Sequence, residues 1–191
     1  MLIVVTGSPC TGKTTSSVKL GKILGMDVLH IRDFVRVRGL GGKFDKRMES
    51  ELVDIRKLGR MLRVECRRRT NVIVEGHLAC EVKLPADWVF VLRCGPDALE
   101  KRLRGRGYPE GKVEENLLAE MLDYCLQKSE TNYSEAKIVQ LETRDSTAAK
   151  TARKMMEFVG GKRTHGEKVN YTAHLIKHLG LENGRGQKKG N

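Results

Sequence analysis

The opening stretch MLIVVTGSPCTGKTTSSVKL constrains this chain more than any other part of it. An apolar run from Leu2 to Val5 leads into Gly7-Ser8-Pro9-Cys10-Thr11-Gly12-Lys13-Thr14, which fits the pattern G-x-x-x-x-G-K-S/T, and residues with helical spacing follow. Strand, glycine loop and helix in that order leave a turn of unpaired backbone amides aimed at one spot, where their dipoles favour an anion. Glycine lets the backbone wrap closely around phosphate oxygens. Lys13 is then placed to reach the β- and γ-phosphates of a nucleoside triphosphate, and Thr14 to offer its hydroxyl to Mg²⁺. The bland alternative is an ordinary glycine turn capping a helix.

Four further runs rich in valine and isoleucine read as strands: MDVLHI (26–31), NVIVEG (71–76), WVFVLR (88–93) and KIVQL (137–141). Between them lie helical spacings at TTSSVKLGKILG, ESELVDIRKLGRMLRVECRRR, PDALEKRLRGR, VEENLLAEMLDYCLQK and DSTAAKTARKMMEFVG. Strands alternating with helices predict an α/β fold of the P-loop nucleoside triphosphate hydrolase type, with a central five-stranded parallel sheet and helices on both faces. Two stretches interrupt the alternation: RVRGLGGKFDK (36–46), glycine-rich and basic, and RGRGYPEGK (104–112), short and turn-forming. Both read as mobile insertions at the rim of the sheet.

Composition narrows the classes. No apolar run approaches the roughly 20 residues that a membrane span needs, so no membrane partner is expected. The five cysteines are an odd number with no C-x-x-C pair, which argues against a disulfide framework and a zinc site and points to the cytoplasm. The net charge of +12 is concentrated. From Arg32 to Arg69 thirteen Lys/Arg stand against six Asp/Glu, and from Gly160 to Asn191 seven against two, while the rest balances. Such segments face anions, either nucleotide phosphates or RNA, or else form solvated basic surface.

A phosphate loop alone does not choose among kinases, GTPases, helicases and transporters. There is no N-K-x-D run for guanine, and a small chain with two rim insertions suits a nucleoside monophosphate kinase, in which one insertion closes over the acceptor and the other over ATP. The sequence resembles the adenylate kinase isoenzyme 6 family, in its archaeal form: small atypical adenylate kinases that also act in maturation of the small ribosomal subunit. The similarity spans Met1 to about Val159 and rests on TGSPCTGKTT, HIRDFVR, VIVEGH, FVLR and GRGYPEGKVEENLLAE. It implies a kinase domain over residues 1–160, with a monophosphate-binding insertion at about 30–53 and a lid at about 105–115. Residues 161–191 lie beyond it as a basic extension, partly disordered, in which VNYTAHLIKHLG reads as a short helix with Val169, Ala173, Ile176 and Leu179 on one face.

The resemblance implies Mg²⁺-dependent transfer of the γ-phosphate of ATP to AMP, with ADP as product, and slower ATP hydrolysis. Carried over by position, Pro9, Cys10, Thr11, Gly12, Lys13, Thr14 and Thr15 hold ATP phosphates, and Asp33 and Arg36 meet the AMP acceptor. Arg106 comes onto ATP as the lid closes, ahead of its neighbours Arg102 and Arg104 because it matches the RGY of the family. Glu75 joins Thr14 at the metal, and His77 orders a water or touches phosphate, so Lys13, Arg106, Glu75 and His77 form the catalytic set. Asp33 and Arg36 read otherwise as a surface ion pair, and Arg106 as part of a solvated basic loop. Glu75 stands where the family usually has aspartate, and Cys10 where it often has glycine; nothing in the sequence demands a positive φ of Cys10. Two other readings stay open: an assembly ATPase whose partner is a small-subunit ribosomal protein, and a kinase for another nucleoside monophosphate. Gln187-Lys188-Lys189 in the tail could touch ribosomal RNA through salt-sensitive phosphate contacts.

Overall fold

The computed structural model describes residues 1–45 and 50–181. In chain order it forms β1 (Leu2–Thr6), α1 (Lys13–Leu24), β2 (Asp27–His30), α2 (Ile31–Val37), β3 (Gly41–Asp45), β4 (Ser50–Val53), α3 (Ile55–Arg67), β5 (Val72–Glu75), a 3₁₀ turn at His77–Glu81, and β6 (Trp88–Arg93). There follow α4 (Pro96–Arg104), α5 (Glu110–Met121), α6 (Tyr124–Asn132), β7 (Lys137–Glu142), α7 (Ala148–Val159) and α8 (Thr172–His178). The five predicted strands form one parallel sheet in the order β2-β5-β1-β6-β7.

Successive side chains of a strand point to opposite faces, and here both faces are covered. Leu2 and Val4 of β1 pack with Val72, Val74, Leu58 and Leu62 on one side. Ile3 and Val5 pack with Leu20, Ile73, Phe90, Met155 and Phe158 on the other. This explains why the strands read as unbroken apolar runs. From the central β1 the chain builds toward one edge through β2 and β5, then toward the other through β6 and β7. In such sheets the crevice at the carboxyl end of the central strand is where a ligand can sit.

Three local expectations are corrected. The helical reading of 49–69 begins too early: Ser50–Val53 pairs antiparallel with Gly41–Asp45, and α3 starts only after Asp54, whose carboxylate caps it by accepting from the Lys57 amide at 2.9 Å. Much of the first insertion is thus a two-stranded hairpin. The single helix predicted over 113–128 is two, α5 and α6, because Asp123 adopts a left-handed conformation (φ 56°) while its carboxylate takes a hydrogen bond from Arg93 at 2.5 Å. In the extension, Val169 of the predicted face packs as expected, but α8 packs through Leu175 and leaves the predicted Ala173, Ile176 and Leu179 exposed. Tyr171, Leu175 and Val169 pack onto Leu99, Leu117 and Met121. Ahead of α8, the Glu167 amide donates to the Gln140 carbonyl at 3.1 Å, and its carboxylate accepts from the Glu142 amide and Lys154, so this segment covers the outer edge of β7. The predicted RNA-contacting residues Gln187, Lys188 and Lys189 lie outside the described residues. Among the described residues no helix is long and apolar enough to cross a membrane.

Candidate active site

The loop after β1 is shaped by two glycines. Gly7 (φ 139°) passes so close to β6 that a Cβ there would lie 2.2 Å from the Leu92 carbonyl oxygen, and Gly12 (φ 88°) opens α1 in the left-handed region. Cys10 corrects the sequence reading: its φ is 64°, a conformation that favours glycine and costs a side-chain-bearing residue about 1–2 kcal/mol. Behind the loop, Ser8 organises its interior. Its carbonyl accepts from Lys13 Nζ at 2.8 Å and from Thr11 Oγ1 at 2.9 Å. Lys13 is buried, and that burial lowers its pKa from the usual 10.5 even though Glu75 and Glu120 pull the other way.

Most of the residues singled out from sequence meet around one cavity of about 960 Å³. Its wall includes Pro9, Cys10, Gly12, Lys13, Thr14 and Thr15 from the loop and α1, Asp33 and Arg36 from α2, Glu75 and His77 after β5, and Arg106 after α4. Thr11 is the exception, since its side chain is fully buried against Ser8 and does not reach the wall. Asp33 and Arg36 do form the ion pair that was the simpler reading, at 3.1 Å, but they form it at the cavity wall. The three nearby arginines separate cleanly. Arg104 is held by Glu100 and Glu110, and Arg102 by the Thr143 and Arg144 carbonyls at 2.8 and 2.9 Å. Among the described residues the Arg106 side chain has no such partner, is exposed, and lines the cavity.

Comparison with known proteins adds ancestry to this geometry. Residues 3–123 match the family model described as an AAA domain. A curated protein of Methanocaldococcus jannaschii, named "Putative adenylate kinase", is 32% identical over 95% of this chain and 99% of its own. One of Natronomonas pharaonis with the same name is 33% identical over 92% of this chain and 100% of its own. The chain belongs to the atypical adenylate kinase family, in its archaeal branch. Among solved structures, a shikimate kinase from Acinetobacter baumannii in complex with shikimate superposes with a TM-score of 0.59 at 21% identity, covering 85% of this chain and 94% of that one. The YorR protein of Bacillus subtilis in complex with phosphorylated GDP gives 0.55 at 18%, covering 86% and 100%. Both share the fold.

Two histidines line the cavity along with Glu75. His77 is held down to a pKa of about 4 by the protein packed around it and, next, by the Lys13 ammonium. The ring keeps contact with solvent at the cavity mouth, which tempers the effect, and the direction is a neutral imidazole at pH 7. His30 was not anticipated. It ends β2 directly opposite Glu75 in the sheet register, and its Nδ1 lies 2.7 Å from Glu75 Oε1. HIRDFVR drew attention to Asp33 and Arg36, but only strand pairing reveals that its first residue meets a carboxylate 45 positions away.

The residues present fit a magnesium ion. Thr14 Oγ1 donates to Glu75 Oε1 at 3.1 Å, so a hydroxyl and a carboxylate, both hard oxygen donors, stand side by side at the start of α1. The extra methylene of glutamate therefore does not carry the carboxylate away from the loop. No group of three or more His, Cys, Asp or Glu arranged to hold a metal occurs among the described residues. Mg²⁺ suits such a sparse set, because it binds through one or two protein oxygens and completes its octahedron with water and substrate phosphates.

Proposed function

We propose that this protein is a nucleotide kinase that moves the γ-phosphoryl group of MgATP to AMP, reversibly and without a covalent enzyme intermediate. Family membership and the kinase neighbours of the fold support a nucleotide kinase; the observation that carries the finer reading is the two-sided cavity. One wall is the phosphate loop and the other is the Asp33–Arg36 pair, within a volume near the top of the ~300–1,000 Å³ range of small-molecule sites.

In this reading the loop amides and Lys13 hold the triphosphate, and Arg36, exchanging Asp33 for a ligand oxygen, grips the acceptor phosphate bidentately. An acceptor phosphate oxygen then attacks the γ-phosphorus while the bond to the β,γ-bridging oxygen breaks, leaving two ADP molecules. Thr14 and Glu75 would hold Mg²⁺, which would supply positive charge against the phosphates. Charge spreads over the moving phosphoryl group, and Arg106 is the cation available to meet it once its loop closes. Slower hydrolysis of ATP is the side reaction expected when water takes the acceptor's place. The ribosome-maturation role implied by the resemblance draws on no feature of this cavity, so the proposal rests on the kinase reading.

Product analysis over a panel of nucleoside monophosphates tests it, with AMP expected as the preferred acceptor. In Arg36→Ala the acceptor KM should rise ten- to a hundredfold while the affinity for MgATP stays unchanged. Binding of MgATP without transfer to any monophosphate would overturn the reading, and stimulation of ATP turnover by purified small-subunit ribosomal protein but not by AMP would replace it with the assembly ATPase.

A further inference from the structure

We infer that Glu120 is a positioning residue for the phosphate loop, acting through the hydroxyl of Ser8; the inference rests on the kinase reading above. Glu120 lies near the end of α5, 2% exposed, and its carboxylate is hydrogen-bonded to residues far away in sequence. Its Oε2 accepts from Ser8 Oγ at 2.5 Å. Its Oε1 accepts from Arg93 Nε at 2.8 Å and from the Cys94 amide at 3.0 Å. Arg93, 1% exposed at the end of β6, spends its remaining donors on the Glu120 carbonyl at 2.8 Å, on Asp123, and on Gln140 Oε1 at 2.9 Å, with the Tyr171 ring 5.1 Å away. Held at three points, the carboxylate has no room to swing.

A buried ion pair is a poor way to gain stability, since apolar residues of similar volume often serve as well. What an apolar residue could not do here is fix a hydroxyl. Ser8 is the pivot: Glu120 takes its hydroxyl, and its carbonyl takes the Lys13 ammonium. Arg93, Glu120, Ser8 and Lys13 thus form one chain from the buried end of β6 to the group that would face the β- and γ-phosphates. Such a chain keeps the loop in its anion-binding shape before any anion arrives, so that binding need not order it. The Glu120 charge also favours the ammonium form of Lys13, against the burial that disfavours it. Because α5 begins at Glu110, four residues after Arg106, the same carboxylate ties the phosphate loop to the helix that starts within the expected lid.

The test compares wild type, Ser8→Ala, Glu120→Gln and the double variant. Calorimetry with MgATP should show about tenfold weaker binding in each single variant and no further loss in the double, with the acceptor KM unmoved. Ser8→Ala leaves Arg93 and the Cys94 amide on Glu120 Oε1, so it should still fold even if Glu120→Gln does not, with a thermal midpoint lowered by no more than the loss of one hydrogen bond to a buried carboxylate. Equal MgATP affinity in Ser8→Ala, or additive losses in the double variant, would overturn the inference. Amide hydrogen exchange across Cys10–Thr14 in nucleotide-free protein judges the link without any ligand: tenfold faster exchange in Ser8→Ala supports it, and unchanged exchange refutes it. Failure of the wild type to bind MgATP would instead count against the kinase reading.

Discussion

Replacing Lys13 by methionine should damage catalysis while leaving the fold at least as stable. Lys13 is 8% exposed, and its ammonium donates to the Ser8 carbonyl at 2.8 Å. Losing a hydrogen bond to a charged group costs about 1.5–3 kcal/mol. Against this stands the desolvation of a buried ammonium, an effective penalty of several kcal/mol that methionine, of similar length and apolar, does not carry. The lowered pKa of Lys13 points the same way, since burial there outweighs the attraction of its anionic neighbours, Glu75 and Glu120 among them. Nor does the substitution strand the Ser8 carbonyl, which keeps the Thr11 hydroxyl at 2.9 Å. Thermal unfolding should therefore occur at or above the wild-type temperature. Turnover in a coupled transfer assay should fall about 10²–10³-fold, the cost of about 2.7–4 kcal/mol for removing one preorganised transition-state donor. A variant that keeps more than a tenth of wild-type turnover would refute the catalytic reasoning. A midpoint lowered by more than about 4 °C, over 1 kcal/mol for a chain of this size, would refute the account of the buried charge.

Arg106→Ala should reduce transfer about 10³-fold with no change in thermal midpoint, because its side chain is exposed and holds no partner among the described residues; turnover within threefold of wild type would remove Arg106 from the site. His77 should titrate below its ordinary 6.5 by NMR and move up toward that value in Lys13→Met, where the nearby positive charge is gone. Between its folded and unfolded pKa the unfolded chain binds the proton and the folded protein does not. His77 therefore adds stability that is fully present above pH 6.5 and is lost as pH falls through the lowered pKa of the folded ring. A wild-type midpoint at 6.5 would contradict this placement of the ring.

Much of the architecture is legible because short apolar runs and a glycine loop are local signals. Trp88–Arg93 is legible to the residue in WVFVLR, the run from Leu2 to Val5 falls one residue short of β1, and the loop announces its own strand and helix. What escaped depends on pairing at a distance. The order β2-β5-β1-β6-β7 has no local signature, nor does the meeting of His30 with Glu75 that follows from it. Ser50–Val53 carries Leu52 and Val53 just ahead of an amphipathic helix, so its apolar residues blended into the helical spacing, and only the Asp54 cap divides them. The break at Asp123 was invisible for a sharper reason. Its left-handed turn is tied to Arg93, 30 positions earlier, and a charge count treats both as surface residues. The same is true of Glu120.

The conformation of the loop also leaves a practical opening. Of the five cysteines, four are buried and only Cys10 has solvent access, at the cavity wall. The native chain thus carries a single-site chemical footprint: the rate at which a thiol reagent modifies it, with and without nucleotide, would report occupancy directly, with no engineered label.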